Sequence, residues 1–218
     1  MKEMFISGVL FFAVSGLAGE FSDDFNRANT ADAKGSRVSK VIGSGWAGSG
    51  EKNWAISNNE VIAGTGDGNF LYYSAEKLTV PFEVSADITP NRPAVFNGVA
   101  VHYNPEKNSG LIFRYQPENG QLQFCFWDGS GKVLLGHQML RNAFLPSGAV
   151  SERDTYRLSV ASKKANTYDL KVSKPDGTVL FSTTVETGAA NISGGYAGLF
   201  VSSNTIVFDN FKLTTSSK

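Results

Sequence analysis

Between residues 54 and 213 the chain alternates apolar and polar side chains in short runs rich in Val, Ile, Phe, Tyr and Thr. No stretch keeps apolar residues at i, i+3, i+4 and i+7 for three turns, so the repeat is that of strands and not of helices. The pattern predicts strands at 54–56, 60–63, 70–74, 82–89, 98–103, 111–116, 121–127, 132–138, 156–161, 168–173, 179–184, 195–202 and 206–213. Asn58-Asn59, Glu118-Asn119-Gly120, Asp128-Gly129-Ser130-Gly131 and Pro175-Asp176-Gly177 interrupt them with residues that accept positive φ, the mark of turns. About thirteen antiparallel strands suit an all-β, two-sheet jelly roll.

The residues Asp23-Asp24-Phe25-Asn26-Arg27, then Trp54-Ala55-Ile56 and Asn58-Asn59-Glu60-Val61, resemble the opening of laminin-G-like jelly-roll domains of exported bacterial proteins. Phe82-Glu83-Val84-Ser85-Ala86-Asp87 is similar to the first long sheet strand of that family, and residues 98–103 with Gly110-Leu111-Ile112-Phe113-Arg114-Tyr115 to its central hairpin. Thr155-Tyr156-Arg157-Leu158, Tyr196-Ala197-Gly198-Leu199-Phe200 and Val207-Phe208-Asp209-Asn210-Phe211 continue the likeness to the end of the chain. The resemblance implies an antiparallel jelly-roll sandwich of the concanavalin A-like superfamily. That superfamily holds lectins, carbohydrate-binding modules, glycoside hydrolases, polysaccharide lyases and adhesion domains, so the fold leaves function open.

The beginning of the chain changes the picture of where it works. Lys2, the apolar residues 4–17 and the small Gly16, Ala18 and Gly19 predict a signal peptide over residues 1–18, cut after Ala18 or Gly19. About fourteen apolar residues fall short of the roughly twenty that span a bilayer. The expectation is therefore a single domain over 19–218, secreted, periplasmic or held at the cell surface, with no membrane span after processing. Twenty basic side chains balance twenty acidic ones, and no basic run offers the stripe that a nucleic-acid binder needs. Cys125 is the single cysteine, so no internal disulfide forms, a habit of exported bacterial proteins.

Catalytic signatures are few. Glycoside hydrolysis needs two carboxyl groups facing each other across roughly 5–10 Å, and the Glu-x-Asp-x-x-Glu strand of laminarinase-like relatives is missing. Glu83 and Asp87 share a strand face but sit about 13 Å apart along it, which suits a solvated face. No Gly-x-Ser-x-Gly elbow occurs, Cys125 in its aromatic run reads as a core residue, and Gly64, Gly66 and Gly68 precede a strand and not the helix a phosphate cradle requires. Two histidines with no partner at ligand spacing argue against zinc.

Asp23, Asp24 and Asp209 are candidates for a structural calcium, because they are hard oxygen donors and the resemblance implies that the first and last strands meet. On the predicted meander of 98–103, 111–116 and 121–127, alternation sends Val99, Val101, Tyr103, Leu111, Phe113 and Tyr115 to one face. It sends His102, Arg114, Gln123 and Trp127 to the other. Imidazole, guanidinium, amide and indole together predict a glycan-binding groove, with Trp127 as stacking platform and Arg114 as polar partner. The sequence thus favours a non-catalytic domain binding a polysaccharide or glycan. A polysaccharide lyase or glycoside hydrolase is the enzymatic alternative, with His102 as the base of a lyase, although the Arg-x-Glu-x-Arg and Gln-x-His strand motifs of jelly-roll lyases are missing. An adhesion or scaffold domain that binds protein is the third reading.

Overall fold

The computed structural model describes residues 18–34, 37–49, 54–63, 69–90, 95–129, 137–146, 153–188, 192–202 and 206–216. In chain order the strands are β1 (Ala18–Asp23), β2 (Trp46–Gly48), β3 (Trp54–Ser57), β4 (Glu60–Ala63), β5 (Asn69–Tyr73), β6 (Phe82–Pro90), β7 (Asn97–Asn104) and β8 (Ser109–Gln116). They continue with β9 (Gln121–Trp127), β10 (His137–Phe144), β11 (Tyr156–Lys164), β12 (Thr167–Ser173), β13 (Val179–Glu186), β14 (Tyr196–Val201) and β15 (Ile206–Ser216). One helical turn, α1 (Val38–Val41), packs against β2 and β3.

The strands form two antiparallel sheets, as the alternation predicts. One has eight strands in the order β13-β12-β11-β6-β15-β4-β3, with β1 also pairing β15; the other has seven in the order β10-β9-β8-β7-β14-β5-β2. β1 and β2 carry too little alternation to be read as strands from sequence. Of the strand expected at 132–138, residues 132–136 lie outside the described residues, and β10 runs further along the chain, to Phe144. The leader expected at residues 1–18 also lies outside them, except for Ala18, which opens β1 opposite Ser216. Among the described residues no helix is long and apolar enough to cross a membrane.

Period-two burial builds the core between the sheets. Phe82, Val84, Ala86 and Ile88 of β6 point inward with Leu158 and Val160 of β11, facing Val99, Val101, Leu111, Phe113, Tyr115, Leu122 and Phe124 of the other sheet. Among the register irregularities of the described strands, those in β15 and β7 reset this alternation. Asn210, at φ 49°, interrupts the register of β15 with β6, so Phe208 and Phe211 both point inward although they are three positions apart, an odd spacing that strict alternation would send to opposite faces. His102, at φ 55°, does the same in β7, where the register shifts between Val101 and Asn104.

The outer face of the seven-stranded sheet is closed as well. Phe70, Ala100, Tyr103, Ile112, Cys125, Trp127 and Phe200 form a second buried cluster there, with Phe70 stacked on Tyr103 at a centroid distance of 4.1 Å. Gly98 and Gly198 sit between these rings, and a Cβ at either would run into backbone of the neighbouring strand, at Phe113 or Leu71 respectively. Each is therefore a position where one methyl strains the sheet. Gly98→Ala and Gly198→Ala should each lower stability by about 1–3 kcal/mol, the usual cost of overpacking. A denaturant midpoint equal to that of the unsubstituted chain would show that the strands can move apart.

Candidate functional site

A cleft lies on the outer face of the eight-stranded sheet, where β1 and the segment after it run beside β15 and β6. It encloses about 530 Å³ and is lined by polar groups from five parts of the chain, among them Asp24, Arg27, Ser44, Ser85, Arg157, Asn210 and Lys212. Its floor is set by two arginines, each held by a buried carboxylate. Asp87 accepts from Arg157 Nε at 2.7 Å and Nη2 at 2.8 Å, an in-plane fork across the β6–β11 register pair. Asp23 accepts from Arg27 Nη2 at 2.7 and 2.9 Å, from the Trp46 indole at 2.8 Å and from the Phe25 N–H at 2.8 Å. Arg27 also donates to the Ile42 carbonyl at 2.5 Å. The carboxylates are nearly enclosed while the guanidiniums are about a third exposed, so fixed cations are presented toward solvent.

The bulge at Asn210 adds a third feature. Asp209 stands opposite Asp87 in the β15–β6 register, and Asn210 Nδ2 donates to Asp87 Oδ2 at 3.0 Å and to Asp209 Oδ2 at 3.2 Å. Burial raises the Asp209 carboxyl above its ordinary range; the charges of Asp87, Asp24 and Asp23 add to this, and the Asn210 N–H opposes it. Hydrogen bonding to Asp87 raises Arg157 further. The i, i+4 pair Asp23 and Arg27 was visible in the opening motif. Arg157, Asn210 and Lys212 had no signal, since their partners lie far away in sequence.

The calcium expected from Asp23, Asp24 and Asp209 finds a poor donor set here. Both Asp23 oxygens are engaged by Arg27 and Trp46, and a cation at this point would face two guanidiniums. Among the described residues no three His, Cys, Asp or Glu side chains gather so as to hold a metal ion.

The groove expected on the seven-stranded sheet is reshaped in two ways. Arg114, Gln123 and Trp127 do share one outer face, with Arg114 Nε and Nη2 donating to Gln123 Oε1 at 2.9 and 2.6 Å and its guanidinium 4.3 Å from the Phe96 ring centroid. All three are buried, Arg114 and Trp127 at 1 % exposure and Trp127 within the second apolar cluster, so this face is packed here and does not form an open groove. Burial lowers the Arg114 pKa and pushes the Cys125 thiol up to about 11, which keeps it protonated and inert. His102 is not with them. The bulge exchanges it with Tyr103: Tyr103 joins the outer cluster, while His102 turns to the core edge against Phe82 and Tyr168, at centroid distances of 5.2 and 5.9 Å.

Comparison with solved structures gives the class of fold. A carbohydrate-binding module, CBM66, from Bacillus subtilis is similar at a TM-score of 0.61 and 16 % identity, over 79 % of this chain and 96 % of that one. Porphyranase B from Zobellia galactanivorans is similar at 0.59 and 10 % identity, over 93 % and 95 % of the two chains. Arcelin-5, a lectin-like defence protein from Phaseolus vulgaris, is similar at 0.56 and 10 % identity, over 92 % and 99 %. The chain is a jelly-roll sandwich of the concanavalin A-like type. No family model matches it, and no curated protein is similar to it in sequence.

His102 generates a pH dependence. Burial lowers its pKa from 6.5, opposed by its bond to the Gly194 carbonyl. The unfolded chain then binds the proton more readily than the folded one, so stability is full above pH 6.5 and falls as pH drops below it. His102→Gln should remove that slope between pH 7 and 5 in thermal melts; an unchanged slope would assign the loss to other groups.

Proposed function

We propose that the chain is an exported, non-catalytic domain that binds a polysaccharide or glycan in the cleft between β1, β15 and β6. The observation that carries this reading is the pair of guanidiniums, each about a third exposed, held by enclosed carboxylates. Arg157 uses Nε and Nη2 on Asp87, which turns Nη1 away from that carboxylate. With the Asn210 amide, the Lys212 ammonium and the hydroxyls of Ser22, Ser44 and Ser85, the cleft offers donors and acceptors at fixed spacing. A pyranose or furanose ring presents the complementary set, and prepaid orientation lowers the entropy cost of pairing with it. Proteins named as a carbohydrate-binding module and as lectin-like share the fold, which supports the same ligand class.

One observation favours a second reading, glycoside hydrolysis. Asn210 bridges Asp87 and Asp209, keeping two of their oxygens within about 6 Å, the separation of a catalytic carboxyl pair. Asp209, with its raised pKa, would be the acid. Asp87 is only 4 % exposed behind Arg157, which shields it from a substrate and ranks binding first.

A glycan array with product detection separates the two. Binding should appear on at least one polysaccharide and weaken about tenfold or more in Ser44→Trp and Lys212→Ala, at two exposed lining positions, with melting temperatures little changed. Product released by the unsubstituted chain and lost in Asp209→Asn would establish hydrolysis instead. Binding at full strength in both cleft variants would move the site elsewhere.

Export follows from the leader at residues 1–18. The N-terminal sequence of protein recovered from the medium or periplasm should start at Gly19 or Glu20; material retaining Met1 would refute processing.

A further inference from the structure

The cleft is continuous with a second cavity on the same face of the eight-stranded sheet. That cavity encloses about 430 Å³ over β6, β11, β12 and β13, and its lining includes Glu83, Ser159, Ala161, Asp169, Lys171 and Ser182. Ser85 lines the cleft and Ser159 the second cavity, and the two are direct cross-strand partners in the β6–β11 register, so the cavities meet at this pair. Both serines point away from the core, since Val84, Ala86, Leu158 and Val160 on either side of them point into it. They are nonetheless only 9 % and 4 % exposed, a low floor between longer side chains.

Register extends this pair into a line. Ser22 stands opposite Lys212, Lys212 opposite Ser85, Ser85 opposite Ser159, Ser159 opposite Lys171, and Lys171 opposite Ser182. The line crosses β1, β15, β6, β11, β12 and β13 perpendicular to the strands and carries only hydroxyl and ammonium groups. Neighbouring strands are about 4.8 Å apart, close to the advance of one sugar unit in an extended glycan, so positions along the line repeat with the units of such a chain. Beside the line the charges are balanced. Arg157 is held by Asp87, Lys212 lies 2.9 Å from Glu20, and Asp169 stands two positions from Lys171 on the same face of β12. A balanced face exerts no net pull on a polyanion.

We propose that the cleft is one end of a longer site, and that its ligand is a linear, uncharged polysaccharide lying across the strands along this line, with about five sugar units in contact between β15 and β13. The inference rests on the glycan reading of the cleft and adds to it the length, path and charge of the ligand. Serine hydroxyls both donate and accept, and the lysines donate, which matches the ring and hydroxyl oxygens of successive units. β13 is the edge of the sheet and Ser182 on it is exposed, so the line runs out to solvent there and a chain bound along its length continues past it. Once the first units are held in the cleft, each further unit meets its partners at high effective concentration, and affinity grows until the line is filled.

The test is titration of the full chain with ladders of one to six units from neutral glucans, xylans, mannans, galactans and fructans, read by calorimetry and by backbone amide NMR. Oligogalacturonates of the same lengths are the charged counterpart. On a ladder that binds, the five-unit chain should bind about tenfold tighter than the two-unit one, the worth of one or two further hydrogen bonds, and the sixth unit should add little. Amides of Ser22 and Lys212 should move with every member that binds, and those of Ser159, Lys171 and Ser182 only with the longer ones. Lys171→Ala and Ser182→Trp, at two exposed positions outside the cleft, should flatten the rise with length. No rise from two units to five, amides of Lys171 and Ser182 unmoved by the longest chain, or a full rise in both variants would overturn the longer site and leave the cleft reading standing. Tighter binding of oligogalacturonate than of any neutral ladder would overturn the uncharged class. Cleft amides unmoved by every ladder would overturn the cleft reading and this inference together.

Discussion

The antiparallel pairing of β15 with β6 is the contact around which the rest of the molecule is arranged. It joins segments more than a hundred residues apart, so its loop-closure cost is met only when both strands also bury their inward faces. Once formed, it gives β1 a free edge of β15 to pair with and brings the start of the described chain to its end. The bulge at Asn210 is a condition of that pairing. Without it Phe208 and Phe211 could not both reach the core, and Asp209 and Asn210 would not both face outward beside Asp87.

Core and cleft share a residue. Trp46 packs edge-on against Phe211 at 4.9 Å and lies 5.5 Å from Phe25, yet its indole N–H ends on Asp23. Asp23 is thereby satisfied by the apolar core on one side and by Arg27 on the other. A carboxylate this enclosed is costly without full pairing, so removing one partner harms it more than the pair contributes. The same asymmetry applies to Asp87 between Arg157 and Asn210. Rigidity of the cleft and integrity of the fold are therefore linked through these two buried charges.

The outer face of the seven-stranded sheet is packed over its middle strands and open at β10, where Met139 stands exposed opposite Cys125. Its outer surface holds aromatic rings laid across Gly98, Ala100 and Gly198, with Arg114 donating to the Gln123 side-chain carbonyl and lying against the Phe96 ring. Burial of a guanidinium against an amide and a π-face leaves it little capacity for a ligand.

Much of this architecture was legible in the chain. Alternation of period two is a local property, so the strands from Trp54 onward other than β10, the core faces of β6, β8 and β9, and the common outer face of Arg114, Gln123 and Trp127 follow from residue order alone. The loops were legible for the same reason, since positive φ at Asn58, Asn59 and Gly120 is a matter of local sterics. Exposure was not legible, because whether an outward residue meets water depends on what else packs against the sheet, and that is why Trp127 reads as a platform and proves to be core. Neither was the side of the sheet taken by His102: one inserted residue inverts the parity of everything nearby, and nothing in Val101-His102-Tyr103 announces it. The cleft was hidden most deeply. Asp87 meets Arg157 and Asp209 through cross-strand register, a relation between distant segments that only the folded chain decides, because a carboxylate selects its partner by distance in space and carries no mark of it in sequence.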